Sequence, residues 1–406
     1  MTEKNNQVQI VRRVSLHYAA AFFVYFAAFC MIRSFISLYL LDCGFSYTQV
    51  GVITGIHMMV TALVQPYYSD ILDRFPKLGL RRFVSLCCIP SILCSLLTFA
   101  LPAKPVLFIL IYIVFGVCEI GMQSLMVSIG MEYVNAGLPI NAGFGRGAGS
   151  VGYAAANLLL GFLIVKFGSP VSHVLNIGLS ILLIFTLMTL PDPETVRTKE
   201  VSEAEKNEGH SDNLIDFLRN NPVFALFIFS CVCIFFAHSI VSTYMPNVAG
   251  QFGMGADFTG LLNSLAAFLE LLPMVFFAQL SKRISPMKLL YISAVFFSLK
   301  ILTAALAQNP AVLILSQIMQ IAAYAVFAIA SIYFANQAVR PRNRVMAQGL
   351  LIGALETGFT IGSLVGGIVL DHADIRTLLW MGVGVSFIGS VLMILSVKRF
   401  EEAGLR

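Results

Sequence analysis

Charge is what this chain has least of. Only 12% of its 406 residues are Asp, Glu, Lys or Arg, 58% are hydrophobic, and the mean hydropathy is +0.84. A soluble domain carries roughly 25% charge, so the composition leaves no room for a soluble catalytic domain. Other absences narrow the field further. The eight cysteines show no paired metal-ligand spacing and mostly lie inside apolar runs, where they act as small buried hydrophobes; no metal is expected. The six histidines are scattered, whereas an integral membrane enzyme gathers such residues at one face. No Gly-x-x-x-x-Gly-Lys-Ser/Thr loop is present, so ATP does not drive the protein directly and no cofactor is expected. The first apolar run, Ser15 to Leu41, is too long for a signal-peptide core and has no small-residue cleavage site, so it stays as a membrane span.

What the chain does have is a succession of apolar runs of spanning length. At about 20 residues per crossing, twelve helices are expected, near 15–41, 48–68, 83–101, 106–132, 146–166 and 171–190, then 222–244, 257–280, 287–307, 311–336, 345–370 and 377–397. Between the sixth and seventh lies a polar stretch, Pro191 to Asn221, with eight of the 21 acids; it reads as a solvated linker ending in a short amphipathic helix, Asp212 to Arg219. The fold class is therefore an all-α polytopic membrane protein with twelve transmembrane helices in two six-helix halves, residues 1–190 and 222–406, joined by linker 191–221. Net charge is +5, which in a soluble protein would suggest nucleic acid. Here the placement of the bases matters more: 20 fall in the termini and alternate loops on one side, and only Lys104, Lys166 and Arg376 on the other. The positive-inside rule then puts both termini and the linker in the cytoplasm, in a multi-pass protein of the cell membrane with no nucleic-acid partner. The halves echo each other in Asn135, Pro139 and Asn141 against Asn336, Pro341 and Asn343. Two such halves about an axis normal to the membrane form a transporter architecture, with a small-molecule solute bound between them near the midplane.

The stretch from Gln65 to Arg82, QPYYSDILDRFPKLGLRR, resembles the loop between helices two and three of the major facilitator superfamily. Asp73 and Arg74 match its Asp-Arg pair, Arg81 and Arg82 its basic end, and Ser69 stands where that pattern has Gly. A carboxylate at a helix end facing cations is a latch, so Asp73, Arg74, Arg81 and Arg82 are expected in gating. Phe23 to Tyr39, Gln65-Pro66, Glu119-Ile120-Gly121, FGRGAGSVGY at 144–153 and LIDFLRNNPVFALF at 214–227 are similar to the lactose permease branch of oligosaccharide:proton symporters. The resemblance implies that Arg146 contacts a sugar-like solute and that Tyr153 stacks on it. It also implies that Glu270, on span eight, couples transport to protons, with Lys300 in place of a helix-nine arginine. The chain departs from that branch at Met126 and Gln123 on span four, where a sugar-binding acid and a Pro are expected. It departs again on span ten, which offers Gln317, Gln320 and Tyr324 and no charge.

Five charges fall within spans, Arg33, Glu119, Glu270, Lys300 and Glu356, at about 2.5–3.5 kcal/mol each on insertion scales. Counted from span ends, Arg33 lies nearer the outer mouth and the others near the midplane. Two readings stand side by side, ion pairs that lock helices and groups that bind solute or protons. On the second reading, Arg146, Tyr153, Glu119, Gln123 and Asn157 bind the solute, and Glu270, Lys300 and Glu356 handle protons. Glu132 and Arg146 flank the loop between spans four and five, where either a pair across the mouth or a solvated face for Glu132 is expected. The glycines at 145, 147, 149 and 152 and at 358, 362, 366 and 367 have small-residue spacing, which suits either helix packing or a rocking interface. The phenylalanines read as lipid-facing bulk. The expected function is proton-coupled uptake of a sugar-like or nucleoside-like solute by a monomer. The alternative is a proton-coupled exporter on the same fold; span five carries glycines without the Pro of that group's motif, which favours symport.

Overall fold

A computed structural model describes residues 2–64, 67–75, 78–138, 140, 142–192, 214–340 and 343–404. In chain order the helices are α1 Thr2–Arg33, α2 Ile36–Asp42, α3 Tyr47–Val64, α4 Tyr67–Arg74, α5 Gly79–Ala100, α6 Pro105–Phe115, α7 Met122–Asn135, α8 Ala142–Phe167 and α9 Val171–Thr189. There follow α10 Leu214–Asn220, α11 Pro222–Thr243, α12 Met245–Gly250, α13 Ala256–Arg283, α14 Pro286–Ala305, α15 Pro310–Ile318, α16 Tyr324–Gln337, α17 Arg344–His372 and α18 Ile375–Glu402. Among the described residues, these group into twelve rods at the places the apolar runs predict. Eleven of the rods are long and apolar enough to cross a membrane by composition, and the twelfth is α13, of 28 residues.

The two halves repeat their irregularities. Span one breaks between α1 and α2, and its counterpart, span seven, breaks between α11 and α12. Span four is interrupted by a π turn, Gly116–Ile120, and span ten by a 3-10 turn, Met319–Ile321. Such mid-helix turns shift the register and mark functional positions. Most of the linker, residues 193–213, lies outside the described residues, as do Gln65, Pro139, Asn141 and Pro341 and the side chain of Asp73. The short helix at the linker's end is α10, whose Phe217 is buried against Phe224 at 5.8 Å.

One assignment resolves against expectation, and another settles between two open readings. More of the described phenylalanines are buried than exposed; Phe22, Phe35, Phe108, Phe115, Phe224 and Phe227 are among the largest fully buried side chains. Inside a bilayer, helices associate by van der Waals packing rather than by a hydrophobic drive, and large rings fill the interhelical space. The glycine stripes serve mainly to pack each half within itself. A Cβ at Gly149 would meet Phe26 and Phe22 of α1, and one at Gly152 the α1 backbone at Phe23. Gly358 and Gly362 face α11 at Val232, Phe235, Phe236 and Ser239 in the same way. The close approach between halves instead uses Gly51 and Gly55 on α3, Gly161 on α8, Gly260 on α13 and, from the expected stripes, Gly367 on α17.

Candidate functional site

A cavity of about 270 Å³ lies between the halves. Its N-terminal wall is built by α1, α7 and α8 and presents Phe26, Phe29, Arg33, Ser34, Gln123, Arg146, Ser150 and Tyr153. Its C-terminal wall presents Phe235, His238, Asn263, Glu270, Lys300, Gln317, Gln320, Tyr324, Glu356 and Phe359. Arg146 and Tyr153 are seven residues apart on α8, about two turns, so they share a face. The Arg146 guanidinium lies over the Phe26 ring at 4.6 Å and donates to Ser150 Oγ at 3.1 Å. Tyr153 Oη hydrogen-bonds Ser34 Oγ at 2.9 Å. Ser34 sits in the break between α1 and α2, which tips Arg33 into the cavity; its guanidinium is 4.8 Å from the Phe359 ring centre and 5.6 Å from that of Phe29. Arg33 therefore lines the cavity together with Arg146.

On the C-terminal wall, Gln320 Nε2 donates to Glu270 Oε1 at 2.7 Å, and Lys300 Nζ donates to Gln320 Oε1. The 3-10 turn of span ten places Gln320 between two charges from neighbouring helices. Ser316 Oγ donates to the Lys300 carbonyl at 2.8 Å and ties the spans together beneath it. The expected Glu270 and Lys300 are thus brought together, through an amide rather than by direct contact. Breaking such a buried set by removing one charged partner typically costs 3–5 kcal/mol. Glu356 is on the same wall. His238, which the scattered histidines gave no reason to single out, stacks on Tyr324 at 5.7 Å, and its buried Nδ1 has no hydrogen-bond partner among the described residues.

Two of the expected solute-binding residues lie elsewhere. Glu119, on the π turn, is 4% exposed and does not line the cavity; its Oε1 accepts from Ser91 Oγ at 2.5 Å and Asn176 Nδ2 at 2.6 Å. It belongs to a closed network inside the N-terminal half, with Ser95 Oγ donating to Asn176 Oδ1 at 2.9 Å. Asn157 is fully buried behind Tyr153, whose carbonyl it caps at 2.9 Å, and its own backbone carbonyl packs against Gly260 of α13. Nor does Arg146 pair with Glu132; it turns inward to Phe26 and Ser150.

The halves meet at one end of the cavity and part at the other. At the end remote from the chain termini, Asp371, in the last turn of α17, accepts hydrogen bonds from the first backbone N–H groups of α3, Tyr47 at 2.9 Å and Thr48 at 2.8 Å. A carboxylate there also meets the positive end of the helix dipole. Ser37 Oγ donates to the Thr243 carbonyl at 2.6 Å, Asn247 Nδ2 to Tyr47 Oη at 3.1 Å and Thr360 Oγ1 to the Gly55 carbonyl at 3.3 Å. Along α17, Gly367 abuts the Tyr47 backbone, while Gly349, five turns below on the same face, has nothing among the described residues within 4 Å of its Cβ position. On α8, Gly161 abuts Ala256 and Gly260, while Gly147 faces open space. The interface is a wedge, shut at the Asp371 end and open toward the termini.

The model of the MFS_1 like family matches residues 15–380. The chain belongs to that family. It is a membrane transport protein of the major facilitator superfamily and not an enzyme. Solved structures share the fold at low identity. A variant of the nucleoside transporter NupG is 16% identical, with a TM-score of 0.80 over 94% of this chain and 99% of that one. A bacterial homologue of the human lysosomal transporter Spinster is 15% identical, with a TM-score of 0.67 over 97% and 98%. A POT family peptide transporter is 12% identical, with a TM-score of 0.72 over 95% and 97%. No curated protein matches significantly.

In this transporter the expected latch lies at the open end. Arg74 and Arg82 are exposed there. Arg81 donates to the Leu190 carbonyl and pairs with Asp192 at 2.6 Å, so it fastens the end of α9 to the start of α5. Among the inter-half hydrogen bonds of the described residues in this state, the one made by a charged side chain is Asp371 on α3. Sequence reasoning passed over it because an acid at a loop mouth looks solvated.

Proposed function

We propose that this protein is a proton-coupled uptake transporter of the cell membrane, working as a monomer with both termini cytoplasmic. Its solute is small and polar, sugar-like or nucleoside-like. It works by alternating access, and the wedge is its cytoplasm-open state. The observation that carries the reading is the Lys300–Gln320–Glu270 set on the cavity wall. A proton site needs a carboxylate whose surroundings change with the conformational cycle. Glu270 is bonded through an amide to a cation on a neighbouring helix, so a small rearrangement of α13 against α14 and the 3-10 turn changes its partner. Arg146, Tyr153 and Gln123 bind the solute from the opposite wall, and Glu356 is the second carboxylate available to a proton. Asp73, Arg74, Arg81 and Arg82 gate the open end. The nucleoside specificity named for NupG is consistent with a cavity of this size with ring-stacking walls.

The test compares accumulation with counterflow in the same vesicles. Glu270→Gln should abolish accumulation against a gradient and retain counterflow exchange, because exchange needs no net proton release. Normal accumulation in Glu270→Gln with loss in Glu356→Gln would reassign the proton site. Accumulation insensitive to a protonophore in the wild type would remove proton symport. Proton-driven efflux from loaded vesicles would establish export in its place.

A further inference from the structure

We propose that the cavity selects a small solute carrying a net negative charge; this deepens the transport reading above and rests on it. Three cations line the cavity, Arg33, Arg146 and Lys300, against two carboxylates, Glu270 and Glu356. The surplus sits on the N-terminal wall. Lys300 and Glu270 are joined through Gln320 on their own side. Among the described residues, neither Arg33 nor Arg146 has a carboxylate within ion-pairing distance. Arg33 is held by the rings of Phe29 and Phe359 and donates to Met58 Sδ at 3.3 Å. Arg146 is held by the Phe26 ring and Ser150 Oγ. None of these contacts is anionic, and a guanidinium has five N–H donors, so most remain available.

The two guanidiniums share one wall. They sit over Phe26 and Phe29, neighbouring rings on α1 whose centres are 5.9 Å apart. A carboxylate or similar oxyanion takes paired hydrogen bonds from a guanidinium, and such charge-assisted bonds are roughly twice as strong as neutral ones. A hydroxyl accepts a bond but leaves the charge uncompensated once water is expelled from the cavity, which is costly. Protonation of Glu270 would enlarge the positive surplus, so the preference holds in either protonation state. The aromatic side chains about the guanidiniums suit a flat ring on the same solute. A volume of about 270 Å³ suits a solute of one or two rings.

The experiment measures uptake of labelled solutes by the purified full chain in proteoliposomes, using pairs that differ chiefly in charge: glucuronate against glucose and nicotinate against nicotinamide. In at least one pair the anion should enter at least tenfold faster than its neutral partner, with saturation. Arg33→Gln should reduce that ratio about tenfold. Glu356→Gln, which removes a competing negative charge from the same cavity, should raise it, an opposition of sign that a merely structural loss would not produce. Equal or faster uptake of the neutral partner in every transported pair overturns the anion preference and leaves the transport reading standing. An unchanged ratio in Arg33→Gln likewise overturns it. No saturable uptake of either anion overturns the anion preference, while the transport reading is judged by the accumulation and counterflow test above.

Discussion

Asp371 offers a direct test of the wedge. Its carboxylate accepts from Tyr47 N–H and Thr48 N–H, two donors that the first turn of α3 leaves without intrahelical partners. Removing a side chain that caps a helix N-terminus costs about 1 kcal/mol, and the charge–dipole attraction is worth 0.3–1 kcal/mol for an exposed group. Asp371 is exposed, so the lower end of the combined range applies. The contact joins the two halves and exists only while this end is shut. Asp371→Ala should therefore destabilise the shut state by about 1 kcal/mol, a shift of roughly fivefold toward the state open at that end. Hydrogen–deuterium exchange reads this at a distance. Peptides covering Gly255–Gly260, at the separate α8–α13 contact, should exchange about fivefold faster. Faster exchange confined to Tyr47 and Thr48 would mean local fraying of α3, and the latch argument would fail.

Three further outcomes follow from the same geometry. Gly367→Ala drives a Cβ into the Tyr47 backbone and should slow transport and raise exchange at Gly255–Gly260, whereas Gly349→Ala, on the same face in open space, should leave that exchange unchanged. Arg146→Lys keeps the charge but loses the planar fork stacked on Phe26, so solute affinity should fall at least tenfold; unchanged binding would move the solute site off α8. Reporter fusions after Asn220 and at the C-terminus should both give cytoplasmic signals, as the 20-to-3 distribution of bases requires, and an external signal at either would reverse the orientation.

The crossings were legible in the sequence because they depend on local quantities. Twenty apolar residues in a row must be helical in a bilayer, where no water satisfies a bare backbone, so span number and order follow from composition alone. The motif around Arg146 and Tyr153 was legible too, because seven residues on one helix return to one face whatever surrounds it. Glu270 and Lys300 were two of five charges flagged by the cost of a charge in an apolar run, and the family resemblance singled them out.

What the chain alone does not specify is which way each helix face turns and where a helix breaks. Glu119 and Glu270 look alike in sequence, each a lone acid in an apolar run. Packing turned the first toward Ser91 and Asn176 within one half and the second toward the cavity. Arg33, counted nearer the outer mouth and given no role, lines the cavity beside the break at Ser34. Gln320 was one amide among several until the 3-10 turn set it between Glu270 and Lys300. The glycines were spaced alike in both stripes, and only the neighbouring helix decides whether a missing Cβ joins two helices of one half or lets two halves meet. Composition and spacing are properties of one helix, and they determined the membrane fold and its crossings. A helix's rotation about its own axis is settled by all its neighbours at once, so the cavity, its unpaired guanidiniums and the Asp371 latch belong to the tertiary structure.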